Sequence, residues 1–463
     1  MNKTTEQFYG QLKGKKVAFI GAGVSHKQCI EIFVQKGAVV TLCDKKQIED
    51  FGAYGDTLKE LGVHLSLGES YLDGLAGQDM IMRTPGFEFY TKELVAAGQS
   101  GSLITSEMEL FFELCPCKIY AVTGSDGKTT TTTLISEMLK TAGYTVHLGG
   151  NIGRALLPII DEVKPEHMAV VELSSFQLIS MRRSPNVAVV TNVTPNHLDH
   201  HKDMQEYIDA KRNILLYQTA DSKAVLGYEN EISRSMQADV KGSLNFFTRL
   251  NKTQNGACLD DDGNLCLARS GVLTRVVHMD EVRLPGLHNI ENMLCAMAAV
   301  DGDVKTAAMA AVAKTFAGVE HRIEPVRELN GVKWYNDSIA SSPTRTIAGL
   351  RAFKQKVIII AGGYDKKIPY EPLAPEIIEH VKELIVMGQT GPKIEAAVRA
   401  CAGFAQSGLV IHHADSMEEA VQIAYKIAHT GDIVSLSPAS ASFDFYPNFE
   451  VRGQHFKQLV NAL

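Results

Sequence analysis

The 463-residue sequence lacks features that would place it in several large classes of protein. It has no apolar run of about 18 residues, the length that a membrane-spanning helix needs. Its first residues, Met1–Gln7, contain no apolar segment typical of a secretion signal. It also has no basic tract, and its net charge of −7 argues against nucleic acid as a partner. We therefore expect a cytoplasmic protein without a membrane span.

The cysteines give no disulfide or zinc framework. Of the eight, only Cys115 and Cys117 lie close together, and no second pair or nearby histidine completes a zinc-binding spacing. Reduced thiols are typical of a cytosolic enzyme. The length suggests roughly three domains of about 150 residues each, and the 45% apolar content permits large buried cores.

The most informative segment is a predicted phosphate-binding turn. Between a strand-like run, Lys118–Thr123, and a helix-compatible run, Thr131–Lys140, lies Gly-Ser-Asp-Gly-Lys-Thr-Thr at 124–130. Glycines allow backbone N–H groups to face an anion, Lys128 supplies a positive charge, and Thr129 offers a hydroxyl to a metal ion. The alternative is an ordinary turn before a helix. The strand–turn–helix context favours a nucleotide triphosphate site.

The first part of the chain has a Rossmann-like start. Lys15–Gly23 reads as a strand followed by a glycine turn, and Asp44 ends a second strand about twenty residues later. His26 stands where a dinucleotide fingerprint has its third glycine, so the pattern predicts a nucleotide site without specifying the nucleotide. The alternative is a tight turn that binds no ligand.

Two further α/β patterns follow, and we predict an α/β protein with domains at 1–106, 107–319 and 320–463. The middle one reads as a P-loop-type ATPase domain with a parallel sheet, and residues 221–285 read as a small antiparallel extension that includes Leu244–Thr248. The last reads as a second Rossmann-like domain ending in a helix over Asn448–Ala462.

A triphosphate site needs a divalent cation with hard oxygen ligands. Glu172 ends an apolar strand, where a carboxylate is costly unless it binds a metal or forms a buried salt bridge. His197 follows the next apolar strand and is placed for a metal or a substrate. His200 and His201 are interpreted as loop histidines, and Lys211, taken alone, as a solvated helix lysine.

Taken together, these segments resemble the ATP-dependent Mur ligases of peptidoglycan synthesis, which are relatives of folylpolyglutamate synthase. The resemblance covers the whole chain in collinear order. Its motifs lie at Gly124–Thr129, Glu172–Gln177, Asn192–Asp199, Gly286–Asn289 and Glu320–Arg322. Three more, Tyr335–Ser338, Leu436–Asp444 and Asn448–Gly453, resemble the branch of the family that adds D-glutamate to UDP-N-acetylmuramoyl-L-alanine.

The resemblance implies a mechanism and a catalytic set. ATP would convert the substrate carboxylate to an acyl phosphate, and the incoming amine would displace phosphate. Lys128 would hold the β- and γ-phosphates, Thr129 and Glu172 a first Mg²⁺, and His197 with a carbamylated Lys211 a second.

The resemblance also implies three groups of binding residues. The ATP contacts would be Gly124, Ser125, Asp126, Gly127, Lys128, Thr129, Thr130, Asn289, Asn292, Arg322 and Asp337. The UDP-substrate contacts would be Ser25, Asp44, Thr84, Gly86, Asn151 and His197. The D-glutamate contacts would be Ser341, Arg345, Lys366, Ser442 and Phe449.

Three positions depart from the family pattern. Asp126 replaces an asparagine in the phosphate turn, and Ser341 replaces a threonine but keeps the hydroxyl. Ile339 stands where the family has a lysine near the glutamyl end of the substrate. Arg345, six residues further on, could supply that missing charge.

Three other interpretations compete with this one. A Mur ligase for L-alanine, a diamino acid or a dipeptide is disfavoured by the loops of the third domain. An NAD-dependent oxidoreductase would use the N-terminal turn, but His26 and the second nucleotide site argue against it. A non-catalytic UDP-sugar-binding protein would not need Lys128, Glu172, His197 and Lys211. We expect a monomer.

Overall fold

The computed structural model describes residues 4–152, 154–195, 201–365 and 368–463. It divides into two compact units, residues 1–316 and 317–463. The first unit contains two sheets and the second contains one. The predicted fold class, α/β with parallel sheets in three regions, is confirmed.

The first sheet has five parallel strands in the order β3-β2-β1-β4-β5. Its strands are β1 (Lys16–Ile20), β2 (Val39–Asp44), β3 (His64–Leu67), β4 (Met80–Met82) and β5 (Leu103–Thr105). The helices of this region are α1 (Thr5–Leu12), α2 (Val24–Gln35), α3 (Ala53–Glu60), α4 (Lys92–Gln99) and α5 (Glu107–Leu114). Strand β1 is buried on both faces because alternate residues enter two separate apolar clusters. The strand order reverses between β1 and β4, and the crevice at such a reversal is where doubly wound sheets bind ligands.

The second sheet has nine strands in the order β14-β13-β12-β11-β10-β9-β6-β8-β7. They are β6 (Lys118–Thr123), β7 (Val146–Gly150), β8 (Met168–Glu172), β9 (Val187–Val190), β10 (Lys223–Gly227), β11 (Ser243–Thr248), β12 (Gly256–Leu259), β13 (Asn264–Arg269) and β14 (Val272–His278). The helices are α6 (Lys128–Thr141), α7 (Ser175–Leu178), α8 (Met204–Leu216), α9 (Glu231–Ser235), α10 (Leu287–Val300) and α11 (Thr306–Thr315).

The prediction that all of residues 221–285 form an antiparallel extension was wrong in part. Strand β11, which contains Leu244–Thr248, is parallel to both of its neighbours, and only β12, β13 and β14 pair in antiparallel fashion. Helix α9 lies between β10 and β11 along the chain, and a helical crossover returns the chain in the same direction. The antiparallel strands therefore continue the main sheet.

Two buried charged side chains join the first and second sheets within their unit. Arg83 is 1% exposed and donates to the Phe176 carbonyl at 2.7 Å and to the Ser180 hydroxyl at 3.0 Å. Burial lowers the pKa of Arg83 to about 10, so the group stays charged at neutral pH. Glu107 accepts from the backbone N–H groups of residues 156 and 157 at 2.9 and 2.7 Å.

The sheet of the second unit has six strands in the order β15-β16-β20-β17-β18-β19. They are β15 (Glu324–Leu329), β16 (Val332–Asn336), β17 (Val357–Gly362), β18 (Val381–Met387), β19 (Val410–Ala414) and β20 (Ile433–Leu436), all parallel except β15. The helices are α12 (Pro343–Leu350), α13 (Ala374–His380), α14 (Gly391–Ala400), α15 (Phe404–Ser407), α16 (Met417–Ile427) and α17 (Phe449–Ala462). In the described ranges, no helix has the length and apolar character needed to cross a membrane.

Candidate active site

The phosphate turn has the predicted strand–turn–helix form, with β6 before it and α6 after it. Gly124 and Gly127 adopt φ values of +148° and +77°, which strongly favour glycine. A Cβ atom on Gly124 would lie 1.9 Å from the Thr191 hydroxyl oxygen. The turn can therefore form only with glycine at this position.

The segment that follows β9 fixes the shape of the turn. The backbone N–H of Ser125 donates to the Asn192 carbonyl at 2.8 Å, and the Thr191 hydroxyl donates to the Asp126 carbonyl at 2.6 Å. The Ser125 hydroxyl donates to the Thr194 carbonyl at 2.9 Å. The sequence indicated the turn itself but not these partners, which lie 65 to 69 residues further along the chain.

Lys128, the first residue of α6, folds back over the turn. Its ammonium donates to the carbonyls of Gly124 and Ser125 at 3.0 and 2.9 Å. Thr130 is buried in the same first helical turn. A positive charge at a helix N-terminus beside glycine N–H groups forms an anion-binding site.

A carboxylate, a hydroxyl and an amide meet beside the turn. Glu172, at the end of β8, is 1% exposed and accepts from the Thr129 hydroxyl at 2.7 Å and from the Asn151 amide at 2.8 Å. A carboxylate has about four acceptor positions, so two such bonds leave others available. Carboxylate and hydroxyl oxygens are the ligands that Mg²⁺ prefers, so this pair fits a magnesium site.

The interpretation of Lys211 as a solvated lysine was wrong. Its side chain is 1% exposed, and its ammonium donates to the Gly124 carbonyl at 2.8 Å and lies 4.5 Å from the centre of the Tyr207 ring. Burial, and then the charge of Lys128, lower the pKa of Lys211 well below its usual range. The amine therefore has a larger neutral fraction than a surface lysine.

Two predicted adenine contacts lie next to the phosphate turn. Asn292 accepts from the Thr131 hydroxyl at 3.3 Å, and a Cβ on Gly127 would lie 2.3 Å from the Asn292 carbonyl oxygen. The Asn292 amide donates to the side chain of Asn289 at 3.2 Å. The start of α10 is thus placed beside the turn. His197 lies outside the described residues, as does Lys366.

The predicted UDP contacts gather at the switch point of the first sheet. Both carboxylate oxygens of Asp44 accept backbone N–H groups, from Ala22 at 3.1 Å and Lys46 at 3.0 Å. Ser25 lies in the first turn of α2. Thr84 and Gly86 follow β4, and an added Cβ on Gly21 would touch the Thr84 methyl group at 3.8 Å. Asn151 is instead bonded to Glu172, beside the phosphate turn.

The histidine at the third fingerprint position points into the core. His26 is 1% exposed, and its Nδ1 lies 2.9 Å from the Gly21 carbonyl. Its ring packs edge-on against Phe19, and burial lowers its pKa to about 4. The neutral, buried imidazole thus stabilises the glycine turn from its core side, through the contact with the Gly21 carbonyl.

In the second unit, a buried arginine that the sequence analysis overlooked joins two loops. Arg452 is 3% exposed and donates to the Ser338 carbonyl and hydroxyl at 2.9 and 3.0 Å. It also donates to the carbonyls of residues 440 and 441, each at 3.1 Å. The Ser338 hydroxyl donates to the Phe449 carbonyl at 2.8 Å. These bonds bring the segments of Ser341, Ser442 and Phe449 to one end of the sheet.

Three predicted ligand contacts are electrostatic neighbours in this unit. Asp337 is 3% exposed, and burial raises its pKa to about 7. The Ile323 N–H, which donates to this carboxylate at 3.2 Å, and the positive charges of Arg322 and Arg345 oppose that rise. The Arg345 guanidinium donates to the Ile339 carbonyl at 3.3 Å. Arg345 thus reaches the residue that replaces the family lysine.

Asp337→Asn should stabilise the second unit at neutral pH. Because the folded-state pKa of about 7 exceeds the ordinary aspartate pKa of 3.8, the folded chain holds a proton that the unfolded chain has lost between these values. The free energy of unfolding therefore falls as pH rises from about 4 to about 7. The variant should escape this loss and be more stable at pH 7.5 by on the order of 2–4 kcal/mol. Thermal unfolding at several pH values measures the difference.

Asp432→Asn provides a control of opposite sign. Burial alone would raise the pKa of Asp432. The hydrogen bonds from Lys382 and from the His429 N–H outweigh burial and lower this pKa below its usual value. That carboxylate stabilises the fold above its unfolded pKa, so the control should be less stable than the wild type at pH 7.5. Equal pH dependence in wild type and Asp337→Asn would contradict the assignment.

Two parts of the chain match domains of one protein family. Residues 122–300 match the Mur ligase middle domain, and residues 321–440 match the Mur ligase glutamate ligase domain. The UDP-N-acetylmuramoylalanine--D-glutamate ligase of Acetivibrio thermocellus is 52% identical over 466 positions that cover 100% of both chains. The chain belongs to the Mur ligase family. The ligase of the same name from Clostridium botulinum strain Hall is 48% identical, again over 100% of both chains.

Solved structures of Mur ligases share the fold. The UDP-N-acetylmuramate-alanine ligase MurC of Thermotoga maritima aligns with a TM-score of 0.55 at 17% identity, over 97% of this chain and 99% of that one. MurF of Acinetobacter baumannii aligns with a TM-score of 0.56 at 14% identity, over 98% of each chain. Mur ligases are ATP-dependent ligases of peptidoglycan precursor synthesis, so this chain is an ATP-dependent ligase.

Proposed function

We propose that this Mur ligase adds D-glutamate to UDP-N-acetylmuramoyl-L-alanine at the expense of ATP. The observation that supports a working ligase is the convergence of Lys128, the Thr129–Glu172 pair and the buried Lys211 on one phosphate turn. The choice of D-glutamate rests on the full-length relatives of that name.

The reaction proceeds in two steps. A carboxylate oxygen of the UDP substrate attacks the γ-phosphorus of ATP, ADP leaves, and an acyl phosphate forms. The amine nitrogen of D-glutamate then attacks the acyl carbon, and inorganic phosphate leaves as the amide forms and the nitrogen loses a proton. Lys128 and the N–H groups of the turn hold the phosphates while negative charge shifts between donor and acceptor.

Thr129 and Glu172 would hold one Mg²⁺, and His197 with Lys211 a second. The metal ions supply charge neutralisation at the phosphates and at the substrate carboxylate. Asn151 orients Glu172 by occupying the oxygen that Thr129 does not. Outer hydrogen bonds of this kind orient a carboxylate ligand toward a metal ion.

Lys211 would act as a carbamate. A neutral amine can add carbon dioxide with loss of a proton, and burial lowers the pKa of this amine. The product is an anionic oxygen donor, whereas an ammonium ion beside Mg²⁺ would be repelled. Its place at the Gly124 carbonyl, within reach of the charge of Glu172, supports this role.

The remaining assignments stay predictions. Ser25, Asp44, Thr84 and Gly86 would bind the UDP part, and the residues assigned to D-glutamate lie in the second unit. Arg322 and Asp337 are assigned to ATP by the resemblance alone. Domain boundaries at 106/107 and 319/320, a monomeric state and a cytoplasmic location also remain predictions.

Arg345→Ala should weaken the binding of D-glutamate specifically. A dicarboxylate that loses a charged hydrogen bond binds more weakly by roughly 1–3 kcal/mol, so the KM for D-glutamate should rise about 5- to 100-fold with little change in that for ATP. Adding Ile339→Lys to this variant should restore part of the affinity. Steady-state kinetics with each substrate varied in turn measures both effects.

Arg351→Ala is the matched control for this prediction. Arg351 lies at the other end of α12 and pairs with Glu376 at 2.5 Å on the surface. Its loss should leave every KM unchanged. An unchanged KM for D-glutamate in Arg345→Ala would show that Arg345 is an ordinary solvated helix residue.

Phosphate release with a panel of amino acids tests the proposed function. The protein is mixed with ATP, Mg²⁺ and UDP-N-acetylmuramoyl-L-alanine, and each amino acid is added alone. Phosphate should appear with D-glutamate and stay at background with L-glutamate, L-alanine and diamino acids. Release with a different amino acid would overturn the choice of substrate. Release that needs no UDP substrate would overturn the ligase reaction.

A further inference from the structure

His201 lies in the loop before α8, as predicted, but its side chain occupies a buried polar site. The residue is 4% exposed. Its ring stacks on Phe176 at 5.1 Å with an angle of 3° between the planes, and it meets the Tyr207 ring edge-on at 5.3 Å. A stacked, buried imidazole has little freedom to move.

Both ring nitrogens of His201 have partners. Nε2 lies 2.8 Å from the Ser175 hydroxyl, and Nδ1 lies 3.1 Å from a carboxylate oxygen of Glu206. Because a carboxylate only accepts, Nδ1 donates to Glu206, and the Ser175 hydroxyl, which can donate or accept, pairs with Nε2. The same Glu206 oxygen accepts the Lys202 N–H at 2.9 Å, so this carboxylate is fixed as well.

These contacts tie together two helices that lead to the phosphate turn. Ser175 begins α7, three residues after Glu172. Glu206 lies in the first turn of α8, which also carries Tyr207 and Lys211. The Tyr207 hydroxyl is 3.0 Å from the Ser125 hydroxyl, and the Lys211 ammonium is 2.8 Å from the Gly124 carbonyl.

We propose that His201 is a positioning residue that holds the N-terminus of α8 against α7, so that Lys211 and Glu172 face the same phosphate turn. The metal-binding part of this inference rests on the proposed function, whereas the positional part rests on the contacts alone. Without the ring, Glu206 at the start of α8 and Ser175 at the start of α7 lose their shared hydrogen-bond partner.

The test compares His201→Ala, His201→Asn and a matched control, His147→Ala. Asparagine can still donate to Glu206 from the position of Nδ1. His147 is similarly buried, at 6%, in the same unit and bonds to His167 at 2.9 Å, so its loss reports the general cost of removing a buried imidazole. Melting temperatures show whether each variant folds.

The first readout is the affinity for Mn²⁺, used as a spectroscopic substitute for Mg²⁺ and measured by electron paramagnetic resonance with a non-hydrolysable ATP analogue. His201→Ala should weaken Mn²⁺ binding about 10- to 100-fold, the usual effect of removing a residue that orients metal ligands. His201→Asn should recover part of the affinity, and His147→Ala should bind Mn²⁺ like the wild type. If His201→Ala does not fold, His201→Asn and Glu206→Gln replace it in the comparison with His147→Ala.

Mn²⁺ affinity equal to that of the control in every folded variant at His201 and Glu206 would overturn the proposal. The second readout is the Mg²⁺ concentration that gives half-maximal phosphate release, which should rise in parallel with the loss of Mn²⁺ affinity. If the wild type releases no phosphate with D-glutamate but Mn²⁺ binding still depends on His201, the proposed function fails and the positioning role stands.

Discussion

Lys128→Ala should reduce turnover about 10²–10³-fold or more, while the affinity for the UDP substrate stays near the wild-type value. The Lys128 ammonium lies over the carbonyls of Gly124 and Ser125, at the N-terminus of α6. There it opposes the negative charge that develops as the γ-phosphate is transferred. A cation that acts on developing charge lowers the barrier to reaction more than it strengthens binding of the substrate.

Ser25, Asp44, Thr84 and Gly86 are predicted to bind the UDP part at the switch point of the first sheet, whereas Lys128 belongs to the second sheet's phosphate turn, so binding of the UDP substrate should depend little on Lys128. Isothermal titration with UDP-N-acetylmuramoyl-L-alanine and single-turnover kinetics separate binding from chemistry. Lys140→Ala, which removes a surface lysine paired with Glu137 on the same helix, should leave both unchanged. Near-normal turnover in Lys128→Ala would remove the phosphate role from this residue.

Lys211→Ala should be almost inactive and should regain part of its activity when formate or acetate is added. The substitution removes both the buried amine and the carbamate that it would carry. A small carboxylate can enter the vacated space and supply the missing oxygen ligand, since carboxylates are the ligands that Mg²⁺ prefers. Phosphate release measured against carboxylate concentration should therefore follow a saturation curve.

Lys223→Ala is the control for this rescue. Lys223, a partly buried lysine at the start of β10, has an ammonium that donates to the carbonyls of Asp301 and Ala299 at 2.5 and 3.3 Å. Burial likewise lowers its pKa. Its replacement should reduce stability without creating any response to formate. Full activity of Lys211→Ala without added carboxylate would show that Lys211 has no metal role.

Local patterns allowed the phosphate turn to be predicted from the sequence. Strand β6, the glycines and α6 are consecutive, and each residue type reports a local requirement of the backbone. Two other predicted site residues were also recognisable from local sequence, because each is an acidic residue at the end of an apolar strand. They are Glu172 and Asp44. The predicted strand ends were therefore correct to within one or two residues where apolar runs were long.

Long-range packing explains what the sequence analysis missed. Nothing near Lys211 or His201 in the sequence indicates that α8 packs against β6 and α7. This packing places Lys211 beside a partner 87 residues earlier in the chain and His201 beside a partner 26 residues earlier. Arg452 reaches carbonyls of residues 338, 440 and 441. Arg83 contacts Phe176 in α7 and Ser180 just after that helix. Charged residues of this kind look like surface residues until the fold supplies their partners.

Transfer of ¹⁸O from substrate to phosphate is the most direct test of an acyl-phosphate ligase acting on D-glutamate. UDP-N-acetylmuramoyl-L-alanine labelled with ¹⁸O at both carboxylate oxygens is incubated with ATP, Mg²⁺ and D-glutamate. The ¹⁸O content of the products is then measured by mass spectrometry. Each turnover should place one ¹⁸O in inorganic phosphate and leave the other in the new amide carbonyl, and omission of D-glutamate should abolish the amide product. Unlabelled phosphate formed alongside the D-glutamyl product, or an amide formed without D-glutamate, would contradict the proposed reaction.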